Sequence, residues 1–134
     1  MLRKFFSLSD IPLDVLPDLE EIDFIPDPEY TPSGDIVIWF DMKRIDSLLA
    51  KDDPFYIDPN SKYNPDKYNG FASFLKKNLP VKMPHLHYDV NLNKFGLLNG
   101  RNRFAYLRDH GLTRIPMTMN NLTAQMLNKN YNLN

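Results

Sequence analysis

The stretch FGLLNGRNRFAYLRDHGLTRIPMTM, residues 95–119, constrains this chain more than any other. Phe95 to Leu98 reads as a short apolar strand that runs into Asn99-Gly100. Gly100 permits a tight turn and a close backbone approach, because it carries no Cβ. Residues 101–110 follow as a helix, and Gly111 stands where a helix is commonly closed by glycine. Ile115 to Met119 reads as a strand again.

A strand, a glycine turn and a helix in immediate succession form a natural anion site. The first N–H groups of a helix have no intrahelical partner, and the helix dipole adds partial positive charge at that end. Arg101 and Arg103 stand in the first turn, where cations oppose the dipole. A phosphate held between them and the N–H groups relieves that conflict, and arginine offers a planar fork for two phosphate oxygens. The plainer reading is a pair of solvated arginines. The candidate phosphate- or nucleotide-binding residues are therefore Asn99, Gly100, Arg101, Asn102 and Arg103.

Five of the eleven prolines, Pro12, Pro17, Pro26, Pro28 and Pro32, fall in residues 1–35. Proline breaks helix interiors and sheet ladders, so at most a short helix, around residues 13–22, is expected there. Residues 1–35 carry nine acids against Arg3 and Lys4, a formal charge of −7, and the remainder carries +6. The expectation is an acidic, proline-rich arm over residues 1–35 and a basic body over 36–134. The arm is a solvated tail, a cover for a basic, anion-binding surface, or a mimic of nucleic acid. Ile36 to Phe40 reads as a strand buried on both faces, with Trp39 in the core. Short helices are expected over 42–50, 69–78 and 123–129, the second with Lys76 and Lys77 in its last turn, and a strand over 84–90. Residues 51–68 read as a long loop of the kind that often carries function. The absence of cysteine removes thiol chemistry and Cys-ligated metals. No apolar run approaches the roughly 18 residues of a membrane span. A cytoplasmic location without membrane attachment is expected.

Gly100-Arg101-Asn102-Arg103-Phe104, followed by Gly111-Leu112-Thr113-Arg114-Ile115-Pro116-Met117, resembles the nucleotide-binding box of the ParB/sulfiredoxin superfamily. That box runs strand, Gly-x-x-Arg, helix, Gly-Leu-x-x-Ile-Pro, strand. The resemblance covers about residues 36–119 and is most specific over 97–117. It implies an α/β (α+β) fold, a small mixed sheet with flanking helices, that binds ATP, CTP or a related phosphate. Members include ParB-type CTP hydrolases, sulfiredoxins, nucleotide-dependent kinases and nuclease-like proteins. By this resemblance Gly100 and Arg103 are the box residues that hold phosphate. The chain departs from the pattern in three respects. Asn102 stands at the sulfiredoxin cysteine position, which excludes sulfiredoxin chemistry; Arg101 replaces the Glu frequent in ParB proteins; and Asn102 replaces the His many relatives have before the Arg. The chain after Met119 is expected to be too short for the DNA-reading and dimerisation domains of ParB.

His87 and Asp41 are the candidate catalytic residues. His87 is expected beside the box, and Asp41, ending the first strand, would orient water or Mg²⁺ or else cap the following helix. His85, His87 and Asp89 alternate along one strand face, which a polar strand explains without a metal, and no metal ligand is assigned. Asp52 and Asp53 read as solvated loop carboxylates. Lys76, Lys77 and Lys82 are candidates for nucleic-acid backbone contact. Two functions remain open: a nucleotide-binding domain that hydrolyses a nucleoside triphosphate or a nucleic-acid phosphodiester, and a catalytically degenerate module, an inhibitor or accessory factor of a mobile element, that engages a partner protein through its acidic arm and surface loops.

Overall fold

A computed structural model describes residues 22–29, 36–59 and 65–131. In chain order the elements are β1 (Phe24–Ile25), β2 (Ile36–Asp41), α1 (Met42–Leu48), α2 (Pro65–Leu75), β3 (Val81–Lys82), β4 (His85–Asp89), β5 (Lys94–Asn99), α3 (Arg101–Asp109), β6 (Arg114–Met119) and α4 (Asn121–Tyr131). Among the described residues these make a mixed α+β fold with one two-stranded and one four-stranded sheet.

The larger sheet runs β2-β6-β4-β5. β2 and β6 are antiparallel, from Ile36 opposite Met119 to Asp41 opposite Arg114. β4 and β5 form an antiparallel hairpin. β4 and β6 are parallel and meet only at His85 and Thr118. β6 lies between two strands, and its residues from Ile115 to Met119 are all buried. Ile45, Leu86, Leu107, Ile115, Met117 and Met119 are wholly buried and form the centre of the core.

Past His85, β4 diverges from β6, and α4 supplies a partner instead. The Tyr88 backbone N–H donates to Thr123 Oγ1 at 3.2 Å, a bond with both groups buried. Thr123→Ala leaves that donor without its acceptor and should cost about 1–3 kcal/mol. A fall in urea midpoint with an unchanged slope would register it.

Three expectations require correction. β2 is an edge strand, not a strand buried on both faces: Val37, Trp39 and Asp41 are exposed while Ile36, Ile38 and Phe40 turn toward the core. Trp39 is 50% exposed, packed edge-to-face on Phe24 and overlaid by the Arg114 guanidinium. α2 begins at Pro65, four residues before the expected start, because proline's fixed φ suits the first helical position. Lys76 and Lys77 consequently lie in the turn beyond its end.

The body also takes in part of the segment read as an arm. β1 pairs in parallel with β3, where Val81 N–H donates to the Asp23 carbonyl and Met83 N–H to the Ile25 carbonyl, each at 2.8 Å. The helix expected around 13–22 lies outside the described residues but for its last position.

Candidate functional site

The site is built on the junction of β5 and α3. Gly100 adopts φ +87° and is the N-cap of α3, and its carbonyl accepts the Phe104 N–H at 2.8 Å. Being glycine, it gives the helix no side-chain cap, and α3 has no acidic residue in its first turn. The start of α3 therefore keeps its positive end uncompensated by protein carboxylates of its own first turn. The close approach at Gly100 is a physical requirement. A Cβ there would lie 2.8 Å from Arg103 Nη2 and 3.0 Å from Pro84 Cα.

Arg103 folds back over this turn. Its Nε donates to the Lys82 carbonyl at 3.0 Å, which fixes the plane of the guanidinium. Its Nη2 is buried and has no hydrogen-bond partner. Burial pulls the guanidinium below its usual pKa, and the charge of Asp27 acts in the opposite direction. Asn102 Oδ1 is likewise buried without a partner. A donor and an acceptor left unsatisfied side by side in one turn are costly unless something else engages them.

These groups line a cleft of about 550 Å³, within the usual span for a small-molecule site, about 300–1,000 Å³. Its polar end is Asn99, Gly100, Arg101, Asn102 and Arg103, with Lys67 and Lys82 contributing further positive charge. Its apolar wall comes from Phe71 and Phe74 of α2, with Ile25 and Leu98. The two phenylalanine rings lie nearly parallel, with centroids 6.2 Å apart.

Arg101 is partly committed elsewhere. Its Nη1 donates to the Leu97 carbonyl at 3.1 Å, and its guanidinium sits 4.8 Å from the centroid of the Phe55 ring. It lines both the Gly100 cleft and a second cleft of about 390 Å³ between the 50–55 loop and the β4–β5 hairpin. His87 belongs to that second cleft, with Asp52, Asp53 and Asp89, and is not among the residues lining the first. Asp41 stands at the opposite corner of the sheet. It ends the far edge strand, opposite the first residue of β6, whereas Asn99 meets His85, which in turn meets Thr118 near the end of β6. There Asp41 caps α1 by accepting the Arg44 N–H at 3.0 Å. The structure thus brings Asn99 to Arg103 together, sets His87 across Arg101 from them, and separates Asp41 from the cleft.

The other polar candidates fall as follows. His85 is buried, with Nδ1 2.8 Å from Thr118 Oγ1. Asp89 accepts the backbone N–H groups of Asn91 and Leu92. Among the described residues, no group of three or more His, Asp or Glu side chains is placed to hold a metal ion. Of the lysine trio, Lys82 lines the Gly100 cleft.

One residue that supports the site from behind Asn99, outside the cleft lining, carries no signal that sequence reasoning picks out. Asp27 is 4% exposed, and its Oδ2 accepts the Asn99 Nδ2–H at 2.8 Å while Oδ1 accepts the Glu29 N–H at 3.1 Å. Its one distinguishing mark in the sequence is its place between Pro26 and Pro28, within an otherwise acidic run. Among the described helices, none is long and apolar enough to cross a membrane. In comparison with known proteins, no family model, no curated protein and no solved structure matches this chain.

Proposed function

We propose that the Gly100 cleft binds a phosphate-bearing ligand, with a nucleotide as the class that fits best. The observation that carries this reading is Arg103 Nη2, a buried donor without a partner, held against the turn that opens α3. A phosphate oxygen satisfies that donor and takes the helix N–H groups at the same time. Phe71 and Phe74 offer an apolar wall of the same cleft to a base or another flat group. The resemblance of residues 97–117 to the ParB/sulfiredoxin box agrees with this reading and is independent of the cleft's shape. The reading is one of binding. His87 and Asp41, the residues named for catalysis, do not line the cleft, so hydrolysis of a nucleoside triphosphate or phosphodiester does not enter the proposal.

The test is thermal unfolding of the wild type and Arg103→Ala with ATP, CTP, GTP and ADP, each with and without Mg²⁺. At a ligand concentration of 100 times Kd, binding to the folded state alone adds about 2.7 kcal/mol of stability. The expected result is a rise in Tm for the wild type with at least one nucleotide and little or none for the variant. Equal shifts in both proteins would place the ligand elsewhere, and no shift with any nucleotide would overturn the reading.

A further inference from the structure

The geometry points to Asp27 as a charge filter for the Gly100 cleft: a built-in carboxylate, fixed to Asn99, that penalises the most highly charged anions and favours a phosphoryl group of low net charge. This rests on the cleft being an anion site. Asp27 belongs to the strap of residues 22–29, which the backbone bonds from Val81 and Met83 hold against β3. Ile25 of the same strap is part of the cleft wall. Two residues on, Asp27 is buried and bonded to Asn99, the residue immediately before the Gly100 turn.

Asp27 is buried, and its negative charge acts on the partly buried Arg103 guanidinium. An incoming phosphate at Arg103 therefore meets a partly neutralised cation rather than a free one. Attraction to Arg103 and repulsion from Asp27 both scale with the charge of the ligand, so each added charge gains less than it would without Asp27. A phosphodiester, or a nucleotide neutralised by Mg²⁺, loses less to Asp27 than a free polyphosphate does. The carboxylate works through Asn99 and Arg103, so Asp27 is a positioning and specificity residue.

Asp27→Asn keeps the shape and, with its oxygen toward Asn99, that acceptor; it removes the charge and gives up the bond from the Glu29 N–H. Calorimetry at low salt with inorganic phosphate, pyrophosphate and tripolyphosphate reads the effect on the full chain. The variant should gain affinity progressively along that series, by about tenfold or more for tripolyphosphate, and the gain should shrink as salt is added. Asp27→Glu, which retains the charge, should not reproduce it. Equal affinities in the wild type and Asp27→Asn would overturn the filter; if Arg103→Ala still abolished binding, the anion site itself would stand. No binding of any of the three anions to either protein would overturn both.

Discussion

Arg108→Met lowers stability by about 3–5 kcal/mol, the expected result of stripping a buried ion network of its central cation. The Arg108 side chain is only 8% exposed. Its Nε donates to Asp109 Oδ1 at 3.0 Å, and its Nη1 reaches the Ile57 carbonyl at 2.7 Å, the Tyr56 hydroxyl at 3.3 Å and Asp46 at 3.4 Å. Tyr68 and Tyr56 extend the network by donating their hydroxyls to Asp109 and Asp46. Burial, reinforced by those carboxylate bonds, pushes both tyrosine hydroxyls above their usual pKa. Methionine preserves most of the volume, so the loss reports the charge together with the hydrogen bonds the guanidinium makes. It removes the Arg108 Nε–H bond and charge from beside the Asp109 side chain, which is 2% exposed. Small domains have about 5–15 kcal/mol in all, so a loss of this size is a large share of the total. The exposed pair Lys94–Asp52 provides the contrast, since both side chains stay substantially in water and Lys94→Ala should change stability by no more than about 1 kcal/mol. Urea unfolding of both variants checks the pair of expectations; equal small losses would mean that Arg108 does not pin the 56–57 segment to α3.

Gly100→Ala is expected to be nearly as damaging, and for two separable reasons. The backbone at φ +87° disfavours any residue with a Cβ by about 1–2 kcal/mol. The added methyl would also meet the backbone of Pro84 at 3.0 Å, an overpacking cost of typically about 1–3 kcal/mol. The functional consequence is distinct from both. Arg103 Nη2 lies 2.8 Å from the same point, so the methyl evicts the guanidinium from the turn. The variant should therefore lose stability and also lose its thermal response to nucleotide. Gly70 is the control within the same cleft. It sits in α2, and a methyl group added there would meet nothing within 4 Å, so Gly70→Ala should be neutral or stabilising by about 0.5–1 kcal/mol. A Gly100→Ala protein as stable as the wild type would contradict the close approach at Pro84.

Residues 95–119 are legible in the sequence because their signals are local. Gly100 and Gly111 both take positive φ, at +87° and +93°, and they bracket α3, with the apolar runs of β5 and β6 on either side. What depends on distant neighbours is not legible. Ile36 to Phe40 looks wholly buried by composition, yet its place at the edge of the sheet leaves Trp39 half in water. Pro65 reads as part of a loop until it is seen to open a helix. Asp27 looks like one more solvated acid, because its partner Asn99 is 72 residues away. His87 and Asp41 suggest catalysis by the chemistry that their residue types permit. Register sets His87 opposite Gly96 across the β4–β5 hairpin and Asp41 opposite Arg114; β2 and β6 lie too far apart in sequence for a local pattern to reveal the register between them.

The most direct test of the anion cleft is the amide spectrum of the ¹⁵N-labelled protein during titration with ATP. Phosphate at the start of α3 should shift the backbone N–H signals of Gly100 to Phe104 and the side-chain signals of Asn99 and Arg103, leaving those around Asp41 in place. Unmoved Gly100 and Arg103 signals, or shifts centred on the His87 cleft instead, would contradict the account.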